Sequence, residues 1–250
     1  MGKAASRITK PTAVPPIRDG DRMNSEEFMR RYEAMPEGTR AELLGGVVHV
    51  NRWVENGTNG KACVMPPISS GGHGRPHFRL MHWLGDYAEA TPGTCGEAPT
   101  TLHLTPESDA VEPDGVFYTE PEFGGHVAFG EDGYLHGAPE LVIEISNTSA
   151  PHDLNLKRDI YEAAGVSEYL VWNVAVGRIV WFRRNRAGRF VEIRPDTEGV
   201  LRSAAFPGLW LDAAAMLARD FGRVGEALQR GLASPEHAKF AAKLAKKRPR

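Results

Sequence analysis

Pro139-Glu140-Leu141-Val142-Ile143-Glu144-Ile145-Ser146 is a short aliphatic run broken by a single carboxylate. A run of this length, opened by proline, has the pattern of a buried strand. Strand alternation puts Val142, Glu144 and Ser146 on one face. A carboxylate among such neighbours is expensive to desolvate unless it is paired or holds a metal. Glu144 therefore either faces water from an edge strand or is a functional acid. Downstream, Asp153, Lys157 and Tyr161 are spaced four apart, on one face of a helix expected over 153–164 and ended by Gly165. Further strands are expected at 167–174, 178–184 and 189–194, the last two joined by a turn at 185–188, followed by a last helix over 212–230. Strands and helices in this order make the chain an α/β protein.

Upstream of the run stands Glu112-Pro113-Asp114-Gly115, followed by the apolar Val116-Phe117-Tyr118. Alone, Asp114 reads as a turn aspartate. Taken with Glu144, it gives two carboxylates at strand ends that can share a divalent cation. Hard Mg²⁺ or Mn²⁺ prefers such oxygen ligands. Further upstream, Arg40-Ala41-Glu42-Leu43-Leu44-Gly45-Gly46 opens a strand pair or a bulged strand over 41–50. A short helix is expected from Ser25, stopped at Pro36-Glu37-Gly38, and another over 77–90, stopped at Pro92-Gly93. Residues 56–76 and 120–138 read as Gly-rich loops, with strands at 99–105 and 113–119.

The 250 residues are 41% hydrophobic and 25% charged, which is ordinary globular composition. No apolar run approaches the ~20 residues of a membrane helix. Two cysteines, Cys63 and Cys95, make no disulfide scaffold and fit a reducing, cytoplasmic setting. The net charge of −2 is uneven. Ten basic residues and no acid occupy 1–18 and 239–250, leaving 20 basic against 32 acidic residues in between. Such a body is not the footprint of a dedicated DNA-binding domain. Residues 1–22 read as a disordered arm, 23–232 as one domain and 233–250 as a basic, solvated tail. The densest basic patch of the body is the hairpin carrying Arg178, Arg183, Arg184, Arg186, Arg189 and Arg194, more in keeping with a solvated face than a nucleic-acid contact.

The ordered set is specific where each piece is weak: the Arg40–Gly46 stretch, His73 before a helix, Glu112-Pro113-Asp114, Pro139–Ser146, then Asp153, Lys157 and Tyr161, then Gly165-Val166, Glu168-Tyr169 and Val171-Trp172-Asn173. It resembles the Uma-two family of putative restriction endonucleases, within the PD-(D/E)xK nuclease superfamily, over about residues 22–195. The resemblance implies a restriction-endonuclease-like core, a mixed central β-sheet flanked by helices, with Mg²⁺ or Mn²⁺ held by carboxylates. It assigns Glu42, Asp114 and Glu144 as the acids and metal ligands and Lys157 as the basic partner. It also implies a phosphodiester of nucleic acid, DNA first, as substrate, and a homodimer. In the superfamily pattern a lysine stands two positions after the glutamate; here Ser146 holds that place, and Lys157 comes thirteen positions after Glu144.

Two other readings stay open: a nuclease fold with a degenerate site acting as a binding or assembly module, and a hydrolase of another phosphoester. His73, His77 and His82 lack the spacing and the cysteines of a zinc site. Lys157 pairing with Asp153 at the surface is the bland alternative to a catalytic lysine.

Overall fold

The computed structural model describes residues 14–36, 39–52, 69–105, 109–147 and 153–247. Strand β9 (Leu141–Ser146) is buried along its whole length. It lies inside a six-stranded sheet in the order β12 (Phe190–Glu192), β11 (Arg178–Arg184), β10 (Glu168–Asn173), β9, β6 (Gly115–Thr119), β3 (Thr94–Glu97). It runs parallel to β10 and antiparallel to β6, so the sheet is mixed and Glu144 is not on an edge.

A second six-stranded sheet has the order β2 (Val47–Arg52), β1 (Arg40–Leu44), β5 (Asp109–Val111), β4 (Leu102–Thr105), β8 (Leu135–His136), β7 (Ala128–Phe129). The α/β class and the mixed sheet hold, and a second six-stranded sheet stands beside the first. Gly45 and Gly46, with φ of +59° and +73°, close a two-residue turn, so 41–50 is a strand pair rather than one bulged strand. The loop read over 120–138 contains the β7–β8 hairpin.

Strand alternation sorts the core into layers. Leu141, Ile143, Ile145, Leu170 and Trp172 pack with Leu80, Trp83 and Tyr87 of α2 (Arg75–Ala90) and Leu228 of α5 (Phe221–Leu232). Val142, Tyr169 and Val171 face the other way, onto Leu44, Leu102, Leu104 and Val111 of the second sheet. The outer face of that sheet carries Leu43, Val48 and Ala110 against Phe28 and Met29 of α1 (Ser25–Tyr32). Asn24 caps α1 by accepting from the Glu27 amide at 2.9 Å.

Several expectations are corrected. Residues 14–22 are not a loose arm: Ile17 is fully buried, and Gly20 and Asp21 exchange backbone hydrogen bonds with Val48. Residues 1–13 and most of the 56–76 loop, Cys63 included, lie outside the described residues. The basic tail holds a helix, α6 (Pro235–Ala245), whose net charge hid an apolar stripe of His237, Phe240 and Leu244. The helix expected over 212–230 is two, α4 (Ala213–Ala218) and α5, broken at Arg219 in the left-handed conformation (φ 63°) and restarted by Asp220 as cap. Trp181 of β11 is fully buried edge-on against Trp83, 5.9 Å between ring centres. None of the described helices is long and apolar enough to cross a membrane.

Candidate active site

Glu42 follows Ala41 on β1, and alternation turns it, with Leu44, into the layer between the two sheets. Glu144 reaches the same layer from β9. The segment 153–164 forms as expected, though as a wide π-type turn (Asp153–Lys157) leading into α3 (Arg158–Ala164), capped by Gly165 in the left-handed conformation. That turn delivers Lys157 between the two acids. Its Nζ lies 3.0 Å from Glu42 Oε1 and 2.9 Å from Glu144 Oε1. The Tyr161 hydroxyl, one turn on, donates to the same Glu144 oxygen at 3.0 Å. All four side chains are buried, Lys157 at 6% exposure. Lys157 is therefore buried between the two acids and not at the surface; the Asp153 side chain lies outside the described residues.

One ammonium between two carboxylates leaves a net charge of −1 in a place that water hardly reaches. Such a charge needs hydrogen bonds on every side. The backbone supplies one: the Glu112 amide donates to Glu42 Oε1 at 2.8 Å.

Asp114 stands two residues further, at the mouth of β6, where Gly115 pairs with Ile143 of β9. Asp114 thus directly precedes the strand that neighbours β9, which carries Glu144, in one sheet. The Ile145 amide donates to Asp114 Oδ2 at 2.7 Å, and His73 Nε2 meets Asp114 Oδ1 at 2.8 Å. His77 Nε2 donates to the Asp114 carbonyl at 2.8 Å. The hydrogen bond to Asp114 raises the His73 ring above the usual histidine range against the opposing effect of burial. Asp114 is 21% exposed and His73 32%, so this end of the cluster opens to solvent while the lysine end is closed. Glu112 completes the frame. It accepts from Tyr32 Oη at 2.6 Å, and burial pushes its carboxyl above the usual range.

The structure brings together Glu42, Glu144 and Lys157 and sets Asp114 at the entry of the neighbouring strand. Sequence reasoning left His73 and His77 out of the site. Their spacing of four, at the start of a helix behind a Gly-rich turn, was the available signal. His82 points elsewhere, to an exposed contact with Asp86. Acids balance part of the arginine hairpin: Arg178 pairs with Glu192 at 2.9 Å and Arg189 with Glu162 at 2.8 Å.

A groove of about 500 Å³ adjoins the His73 turn, lined in part by Arg75, Arg79, Arg219, Phe78, Trp172 and Phe221. The Arg79 guanidinium stacks on the Phe221 ring at 3.8 Å.

Two β-sheets enclosing a carboxylate–lysine cluster, with helices outside, place the chain among nuclease-like α/β folds. It is similar to the crystal structure of a putative nuclease from Anabaena variabilis, with a TM-score of 0.52, over 76% of this chain and 97% of that one, at 12% identity. Likeness at that identity concerns the fold alone. The family model described as "Putative restriction endonuclease" (Uma2) matches residues 25–214, and the chain belongs to that family. The matched range contains Glu42, Asp114, Glu144 and Lys157. Among curated proteins, none matches the sequence.

Proposed function

We propose that the protein is a metal-dependent endonuclease that hydrolyses phosphodiester bonds of nucleic acid, DNA in the first place. The observation that carries this is the convergence of Glu42 and Glu144, from two different sheets, on the ammonium of Lys157. The donor set suits a hard cation: Glu42, Asp114 and Glu144 offer carboxylate oxygens of the kind Mg²⁺ and Mn²⁺ take. When bound, such an ion supplies a water-derived nucleophile and offsets charge at the attacked phosphorus. The chain's own groups do the rest. Lys157 relieves the repulsion between Glu42 and Glu144 and brings positive charge to the reacting region. The Ile145 amide and His73 hold both oxygens of Asp114 in place. The arginine-lined groove beside the His73 turn gives a polyanion a cationic approach on an otherwise acidic body.

The test is cleavage of plasmid, linear duplex, single-stranded DNA and RNA by tag-free protein with Mg²⁺ or Mn²⁺. Cutting is expected with metal, falling at least roughly a hundredfold in Glu144→Gln and Asp114→Asn. Intact polymers in every wild-type reaction, or an unimpaired Glu144→Gln, would overturn the proposal. One observation favours a second reading, a nuclease-fold binding module: the deep burial of Lys157, which suits a structural clip as well as a catalytic one. A module of that kind retains DNA without cutting it. A homodimer and a cytoplasmic setting go with the nuclease reading.

A further inference from the structure

The outer face of the second sheet carries a cluster that the nuclease reading does not use. His103 on β4 and His136 on β8 are direct partners in a parallel pair. Their rings stack with centres 4.6 Å apart and planes 12° apart. Asp132, in the turn that closes the β7–β8 hairpin, lies 2.9 and 3.1 Å from His136 Nε2 through its two oxygens. One ligand atom from each of the three residues falls within 4.8 Å of the others. His103 is only 8% exposed, and among the described residues its Nε2 has no hydrogen-bond partner. A buried ring nitrogen without a hydrogen-bond partner calls for an explanation, and a bound water or metal ion supplies one.

The local backbone is shaped around this cluster. A Cβ on Gly130 would stand 2.2 Å from Asp132 Oδ1 and 2.5 Å from His136 Nε2, so a larger residue there would displace the Asp132 and His136 side chains. The cluster is separate from the carboxylate–lysine site. His103 pairs with Ala110, and Ala110 with Leu43, all on the face of the sheet opposite to Glu42.

We propose that His103, Asp132 and His136 bind one first-row transition ion of the Zn²⁺ class, which clamps the 130–134 turn to β4. Two imidazole nitrogens and one carboxylate oxygen suit such an ion, whereas Mg²⁺ favours oxygen alone. Water fills the remaining positions. Asp132, exposed and on a turn, is the ligand best able to adjust to the ion.

Calorimetric titration of tag-free, EDTA-stripped protein with Zn²⁺ tests this. One site is expected, unaffected by excess Mg²⁺ and retained in Glu144→Gln and in the His73→Ala/His77→Ala double variant. His136→Ala and Asp132→Asn are expected to weaken it at least tenfold, as is Gly130→Ala. Asp132 is exposed, so Asp132→Asn tests the site without threatening the fold. Absence of Zn²⁺ binding, binding unchanged in both His136→Ala and Asp132→Asn, or binding lost in the His73→Ala/His77→Ala variant would overturn the proposal.

Discussion

Lys157→Met removes the positive charge held between Glu42 and Glu144. In wild type the ammonium lies 3.0 and 2.9 Å from the two acids at 6% exposure. Deleting one member of a buried ion pair costs about 3–5 kcal/mol, because the remaining charge stays desolvated. Here two carboxylates are left facing each other with no ammonium between them. For a domain of this size, ~2–4 °C accompanies each kcal/mol, so a fall of roughly 10 °C in melting temperature is expected at pH 7.5 in EDTA. Millimolar Mn²⁺ should recover part of it by restoring positive charge to the acids. Thermal melts followed by circular dichroism at pH 7.5, with and without Mn²⁺, read both effects. A variant that melts within a degree or two of wild type at pH 7.5 in EDTA would refute the buried triad. An exposed pair would contribute only about 0.3–0.5 kcal/mol. Under the nuclease reading the same variant also loses cleavage by two or more orders of magnitude.

Millimolar Mg²⁺ or Mn²⁺ is expected to raise the wild-type melting temperature by mass action, and Glu144→Gln to abolish the rise; identical shifts in both proteins would place the ion elsewhere. Glu168 is fully buried, accepting from the Ala204 and Ala205 amides at 2.7 and 3.0 Å and from Ser203 Oγ at 2.8 Å, and burial pushes its carboxyl up. Its raised pKa means that its contribution is complete below the unfolded value and declines as pH rises through the folded one. Urea melts from pH 4.5 to 8 should show Glu168→Gln losing less stability over that range than wild type, and parallel profiles would contradict this. Sedimentation at micromolar concentration is expected to give twice the chain mass, and a monomer would remove the dimer from the proposal.

What the sequence determined by itself was local. Four aliphatic residues around Glu144 announced a buried strand, because an apolar run of that length has no other economical place in a globular chain. The spacing of Lys157 and Tyr161 set both on one helical face, and both indeed meet Glu144 at its Oε1 atom. Where a second property masked the pattern, the reading failed: the charge of the last residues hid the α6 stripe, and prolines made residues 14–22 look unpacked. Tertiary structure alone decided the rest. Glu42 and Glu144 are about a hundred residues apart, and nothing local says that their strands lie in different sheets with these two faces turned inward. That depends on which apolar faces cover one another, and burial is a property of the partner surface as much as of the residue. The same pairing of faces makes Lys157 the link between the two sheets. Packing of the α2 start against the mouth of β6 brought His73 and His77 onto Asp114, a contact that periodicity cannot encode because it joins a helix end to a strand end.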